Sequence, residues 1–144
     1  MRLRDLLCLS ALLPTFAFAG PLDEKAAEAH LAAVAGADIE QLMASYDDSA
    51  VIEWIGGPLD GRYQGREAIR EVWLKFFKNN DGQPREMHHS AFEQSANPKG
   101  ATLLAKVDYR GKMPVKVRQI LSFRDTKLVT EVWQIDPALN VAAQ

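Results

Sequence analysis

Apolar positions recur at helical spacing through the first half of this chain and alternate with polar ones through the second. Asp23 can cap a helix running to about Ala35, on which Ala27, His30, Leu31 and Val34 fall at i, i+3, i+4 and i+7 and define one face. Asp38 opens a second helix, with Ile39, Leu42, Met43 and Tyr46 at the same spacing. A third follows Gly65. Its Ile69, Val72, Trp73, Phe76 and Phe77 make a wide apolar stripe, while Arg66, Glu67, Arg70, Glu71, Lys75 and Lys78 take the other side. Asn79-Asn80-Asp81-Gly82 should end it.

One early strand is predicted over 50–55, with Ile52 and Trp54 on one face and Glu53 on the other. Beyond Pro84 the period changes to two. Strands are predicted over roughly 85–96, 101–110, 113–123 and 128–136. Asn97-Pro98-Lys99-Gly100, Arg110-Gly111 and Asp125-Thr126 read as the turns between them. Leu103, Ala105, Val107 and Tyr109 share one face, as do Val115, Val117, Gln119, Leu121 and Phe123. That alternation suits an antiparallel sheet with one face on the core. Three helices, an early strand and then a meander give a single α+β domain.

The first nineteen residues follow a different rule. Arg2 and Arg4 precede a mostly apolar run from Leu6 to Phe18, and Ala17-Phe18-Ala19 has the small residues of a cleavage site. Residues 1–19 are therefore expected to be a secretory signal peptide, cut after Ala19, with residues 20–144 forming the domain. The run is too short to span a bilayer comfortably, since a spanning helix needs roughly 20 apolar residues. The expected location is periplasmic or secreted, with no membrane association after cleavage. Cys8 is the one cysteine, so a cleaved chain has neither disulfide nor cysteine nucleophile. The formal net charge is −2 and no basic stripe is present, which argues against nucleic acid as a partner.

Chemistry is sought at polar groups on inward faces. His30 sits on the apolar face of the first helix. It is either a histidine satisfied within the core or a pocket acid/base, and it is the catalytic candidate. Tyr46, Trp54, Trp73 and Trp133 are candidate ligand contacts, with core packing as the alternative for each tryptophan. His88 and His89 are adjacent on a strand and must face opposite ways. Phe92 favours an inward His88, whereas Met87 and Ala91 favour an inward His89. Gln119 stands among apolar neighbours, where burial without a partner is costly, so it is a pocket contact or a satisfied amide. Glu131 shares a face with Trp133. Inward, it would be a buried carboxylate suited to general-base work; the rarity of buried charges favours the solvated phase. Three histidines and no other cysteine make a metal site implausible, and no cofactor is expected.

The run ADIEQLMASYDDSAVIEW, then a Gly/Pro-rich connection, then GRYQGREAIREVWLKFF, resembles the front half of the SnoaL-like branch of the NTF2-like (nuclear transport factor 2-like) fold. The resemblance implies a curved, mainly antiparallel sheet wrapped around three N-terminal helices, forming a cone with a pocket at its wide end. It also implies a homodimer through the outer sheet face, although of the expected outer residues Lys116, Arg118, Ile120 and Ser122 only Ile120 is apolar. Ala29 to Trp54 is similar to the start of ketosteroid isomerase, which uses a strand aspartate as base, a tyrosine, and a protonated aspartate. The matching positions here are Trp54, His30 and Gln119, so that mechanism is not expected. Arg118 and Gln119 likewise do not supply the Asp-Arg-Asp set of limonene-epoxide hydrolases. The polyketide cyclases of the SnoaL group use a strand aspartate with histidine help; inward histidine candidates are present here, but no inward aspartate. Three readings stand: a pocket protein for a small apolar or aromatic molecule, a lyase or isomerase using a pocket histidine, and an interaction module with a plugged cone.

Overall fold

The computed structural model describes residues 21–142. The signal peptide expected over 1–19 lies outside them. Helix α1 spans Pro21–Ala35, α2 Ile39–Ser45 and α3 Arg66–Lys78. The strands are β1 Tyr46–Ile55, β2 Gly61–Gln64, β3 Glu86–His89, β4 Glu93–Asn97, β5 Gly100–Arg110, β6 Val115–Arg124 and β7 Lys127–Ile135. They form one sheet in the order β2-β1-β7-β6-β5-β3, and β4 also pairs with β5. All pairings are antiparallel except β1 with β7, which is parallel. The α+β cone with three helices before the main meander is therefore present.

Local chemistry fixes the helix and turn boundaries. Asp38 caps α2 by accepting the Gln41 N–H at 3.1 Å. Lys75 and Lys78 lie in the last turn of α3, where cations complement the helix dipole. Asp125 and Thr126 both have positive φ (48° and 65°), the two-residue hairpin geometry that joins β6 to β7. Gly100, at φ 156°, lies so close to the neighbouring strand that a Cβ there would meet the Phe123 carbonyl oxygen at 2.2 Å.

Three segments differ from the sequence expectation. Tyr46 does not close α2; it begins β1, which starts four residues earlier than expected. The strand expected over 85–96 is two strands lying end to end along β5, with β3 opposite Val107–Arg110 and β4 opposite Gly100–Leu104. At the break between them, the Ser90 N–H donates to the Lys106 carbonyl at 2.9 Å and the Ser90 hydroxyl accepts the Lys106 N–H at 3.1 Å. Strand β2, only four residues long, was not anticipated.

The helices pack on the concave face of the sheet. Inward residues form rows across the strands, and Trp54, Trp133, Gln119 and Ala105 lie side by side in one of them. The neighbouring row is Ile52, Glu131, Leu121 and Leu103. From α3, Ile69, Val72, Trp73, Phe76 and Phe77 meet these rows, all of them buried.

Candidate functional site

A polar cluster sits inside the apolar core, and Glu131 is its centre. Of the two phases open to this residue, the structure takes the inward one, against the preference of charged side chains for solvent. β7 pairs with β1 and β6 on both sides, and the register that buries Trp133 also turns Glu131 inward, leaving it 0% exposed. Three donors converge on its carboxyl group. Gln119 Nε2 donates to Oε1 at 2.6 Å. The Tyr46 hydroxyl donates to Oε2, and His30 Nε2 lies 3.1 Å from the same oxygen. This is the arrangement that an acceptor-only carboxylate requires.

A second layer holds these donors in place. Trp73 Nε1 donates to the Tyr46 hydroxyl at 2.9 Å, and the Tyr109 hydroxyl donates to Gln119 Oε1 at 2.9 Å. The Ser45 hydroxyl donates to the Leu42 carbonyl at 2.7 Å, so its lone pair faces His30 Nδ1 at 3.1 Å. Both nitrogens of His30 thus face acceptors. Burial first, and then the charge of Glu131, hold the Tyr46 and Tyr109 phenols well above their ordinary pKa.

Aromatic rings seal this cluster. Trp133 is stacked between Trp54 (centroids 4.7 Å apart) and Tyr109 (5.3 Å), and Trp73 meets Trp54 and Trp133 edge-on at 5.3 and 5.1 Å. His30, Tyr46, Trp73, Gln119 and Trp133 are each at most 1% exposed. The structure therefore brings five of the predicted residues together with Glu131, inside the packed interior.

Trp54 differs from the others. It borders a cavity of about 150 Å³ at the end of the cone, between the C-terminal end of α3, the β1–β2 connection and the β5–β6 connection. Pro58, Leu59, Phe76, Pro114, Val115 and Ile135 supply its apolar walls, and Asn79 and Arg85 its polar ones. The indole N–H groups of Trp54 and Trp133 are both buried without a hydrogen-bond partner among the described residues. Three larger depressions, of about 490, 420 and 250 Å³, are more open and border none of the cluster residues.

The other two histidines stand apart from the cluster. His88 turns to the outer face with Asp108 and pairs with Glu86 at 2.6 Å. His89 faces the helices, 3.2 Å from Glu28 of α1 and 5.4 Å from the Phe92 ring. Met87, which shares the phase of His89, is packed against the core and so decides the strand's orientation.

The sequence pattern of the SnoaL-like domain matches residues 27–131, which takes in α1 through most of β7. The chain belongs to the SnoaL-like domain family. Solved structures similar to this SnoaL-like domain include a ketosteroid isomerase-like protein from Erwinia carotovora atroseptica SCRI1043. That likeness has a TM-score of 0.63 at 21% identity, covering 78% of this chain and 92% of that one. A protein of unknown function with a cystatin-like fold from Nostoc punctiforme is similar at TM-score 0.64 and 15% identity, covering 83% and 96%. A putative polyketide cyclase from Sinorhizobium meliloti is similar at TM-score 0.53 and 20% identity, covering 76% and 94%. No curated protein matches the sequence. At these identities the solved structures establish the NTF2-like cone and leave activity to the residues of the site.

Three participants escaped the sequence reading. For Glu131 the sequence leaves both faces open, and residue type favours the solvated one that the structure excludes. Tyr109 was placed on the inward face by its alternation, but its hydroxyl was not given a partner. Arg85 opens the strand predicted over 85–96, in phase with Met87 and His89, but its charge argues for solvent; the structure places it just before β3 and buries it.

Proposed function

We propose that this SnoaL-like domain binds a small apolar or aromatic molecule at the open end of its cone, against Trp54. The observation that carries this reading is the cavity of about 150 Å³ beside Trp54, walled mainly by apolar side chains with Arg85 and Asn79 as its polar lining residues. Small-molecule sites are typically concave and mostly apolar, with a few polar groups that fix orientation. This cavity has that character, at a size suited to a single ring. His30, Tyr46, Trp73, Gln119 and Trp133 lie behind Trp54 and act as a rigid support for it. The test is ligand-observed NMR with single-ring probes such as benzyl alcohol, benzamide and benzoate. Saturable binding that is abolished by Leu59→Trp, which fills the cavity, supports the reading. Absence of binding by every probe overturns it and favours the plugged interaction module.

One observation favours a second reading, a lyase or isomerase with His30 as acid/base. His30, Tyr46 and Gln119 converge on a single carboxyl group. Such an enzyme has to open the aromatic seal to admit substrate. It predicts that turnover depends on the imidazole of His30. Full turnover by His30→Gln would remove His30 from the role. The proposal extends to an exported homodimer: export rests on the leader pattern of residues 1–19, and dimerisation on the family resemblance. Osmotic-shock fractionation tests the first, and sedimentation at micromolar protein the second.

A further inference from the structure

The cavity beside Trp54 also contains the least compensated charge of the interior. Arg85 is 6% exposed, and none of the ion pairs among the described residues includes it. Its Nη2 reaches the Phe76 carbonyl only at 3.5 Å, the outer limit of a hydrogen bond, and its Nε has no partner. The guanidinium lies over the Phe76 ring, with Cζ 4.3 Å from the centroid. That cation–π contact offsets part of the desolvation cost and leaves the donors unused. Burial lowers the Arg85 pKa from its ordinary value. The backbone holds the side chain in place, because the Arg85 N–H donates to the Ala35 carbonyl at 2.7 Å.

A buried cation without a counter-charge is expensive, and removing it from water is repaid only by a partner of opposite sign. No aspartate or glutamate lines the cavity. The side chains with polar atoms that line it are Arg85, Trp54 and Asn79. Two of these three can only donate. A planar guanidinium fork matches a carboxylate through two parallel hydrogen bonds. The apolar remainder of the wall has room for a small body and no charge to oppose the bulk of a phosphate dianion.

We propose that the cavity is a recognition site for a small monocarboxylate with an apolar or aromatic body, in which Arg85 holds the carboxylate and Trp54 and Phe76 contact the ring or chain. This deepens the pocket-binding reading above and rests on it.

The test compares benzoate with benzamide, which has the same shape but no charge, by isothermal titration of the purified protein. A charge-assisted hydrogen bond of ordinary strength makes benzoate the tighter binder by about ten- to a hundredfold. Arg85→Met is expected to bring that ratio close to one. Equal affinities for the two probes in the unmutated protein overturn the carboxylate assignment while leaving the pocket reading intact. Failure of both probes to bind overturns the pocket reading as well. Should Arg85→Met not fold, the Arg85 Nε–H resonance of the unmutated protein serves instead. It is expected to shift on addition of benzoate and not of benzamide, and an unmoved resonance at saturating benzoate rejects the role of Arg85.

Discussion

Replacing Glu131 tests whether the buried cluster is as tightly coupled as its geometry indicates. In Glu131→Ala, the Tyr46 hydroxyl, Gln119 Nε2 and His30 Nε2 all lose their acceptor, and none can reach water from a site that is 0% exposed. An unsatisfied buried donor costs about 1–3 kcal/mol, so three give about 3–9 kcal/mol before any cavity term. Domains of this size have roughly 5–15 kcal/mol in total, so this variant should lie near the limit of folding. Glu131→Gln keeps the volume and one acceptor oxygen. Its new amide can donate to Gln119 if that side chain flips, after which Gln119 donates to the Tyr109 hydroxyl. One donor, the Tyr109 O–H, is then stranded, for a cost of about 1–3 kcal/mol. Urea unfolding followed by tryptophan fluorescence measures both variants. The reasoning fails if Glu131→Ala costs under about 1 kcal/mol, or if the two variants cost the same. A cycle with His30→Gln should show a coupling of at least about 0.5 kcal/mol, as expected for residues in one network.

Further predictions follow from the same cluster and from the turns. Tyr46 and Tyr109 keep their phenol protons in the folded protein at a pH where the unfolded chain releases them, because burial and then Glu131 raise their pKa. Their contribution to stability is complete below about pH 10 and falls above it, by about 2.7 kcal/mol per pH unit for the pair. Urea midpoints at pH 9 and 11 should show this, with Tyr46→Phe halving the slope; a pH-independent midpoint refutes it. Gly100→Ala forces a Cβ to 2.2 Å from a backbone oxygen and should cost more than about 2 kcal/mol by thermal unfolding. Asp38→Ala removes the α2 cap and should cost about 1 kcal/mol by the same measurement, with Asp38→Asn restoring most of it.

The parts of the fold legible in the sequence were those where one residue pattern had one solution. The α3 stripe has five large apolar residues on one face, and its register could not be misread. Gln119 stood out because four apolar neighbours fix the phase of β6. Glu131 did not, because residue type argues for solvent, and only pairing on both sides of β7 overrides that preference. The 85–96 segment has no glycine or proline to mark its break; the break comes from a tertiary contact, Ser90 bonding to Lys106. Arg85 shares the phase of Met87 and His89, but its charge argues for solvent as that of Glu131 does. Its burial arises where the end of α3 and the β5–β6 connection close over it, which local sequence does not encode.

The position of β7 has a consequence for how the chain reaches this state. The last of the described strands is also the central one, lying between β1 and β6. Until it is in place, β1 with β2 and the β3–β6 array share no strand pairing, and the concave apolar face stays split in two. The cluster that unites them joins residues far apart: Tyr46 meets Glu131 across 85 positions and His30 meets it across 101. Closing loops of that length costs conformational entropy before any contact rewards it, and contacts so distant in sequence slow folding. A nascent chain that has not yet released residues 127–135 therefore carries two half-sheets with exposed edges, vulnerable to association with other chains. The decisive moment in its maturation is the arrival of the nine residues of β7, which bring both the missing strand and the carboxylate around which the interior closes.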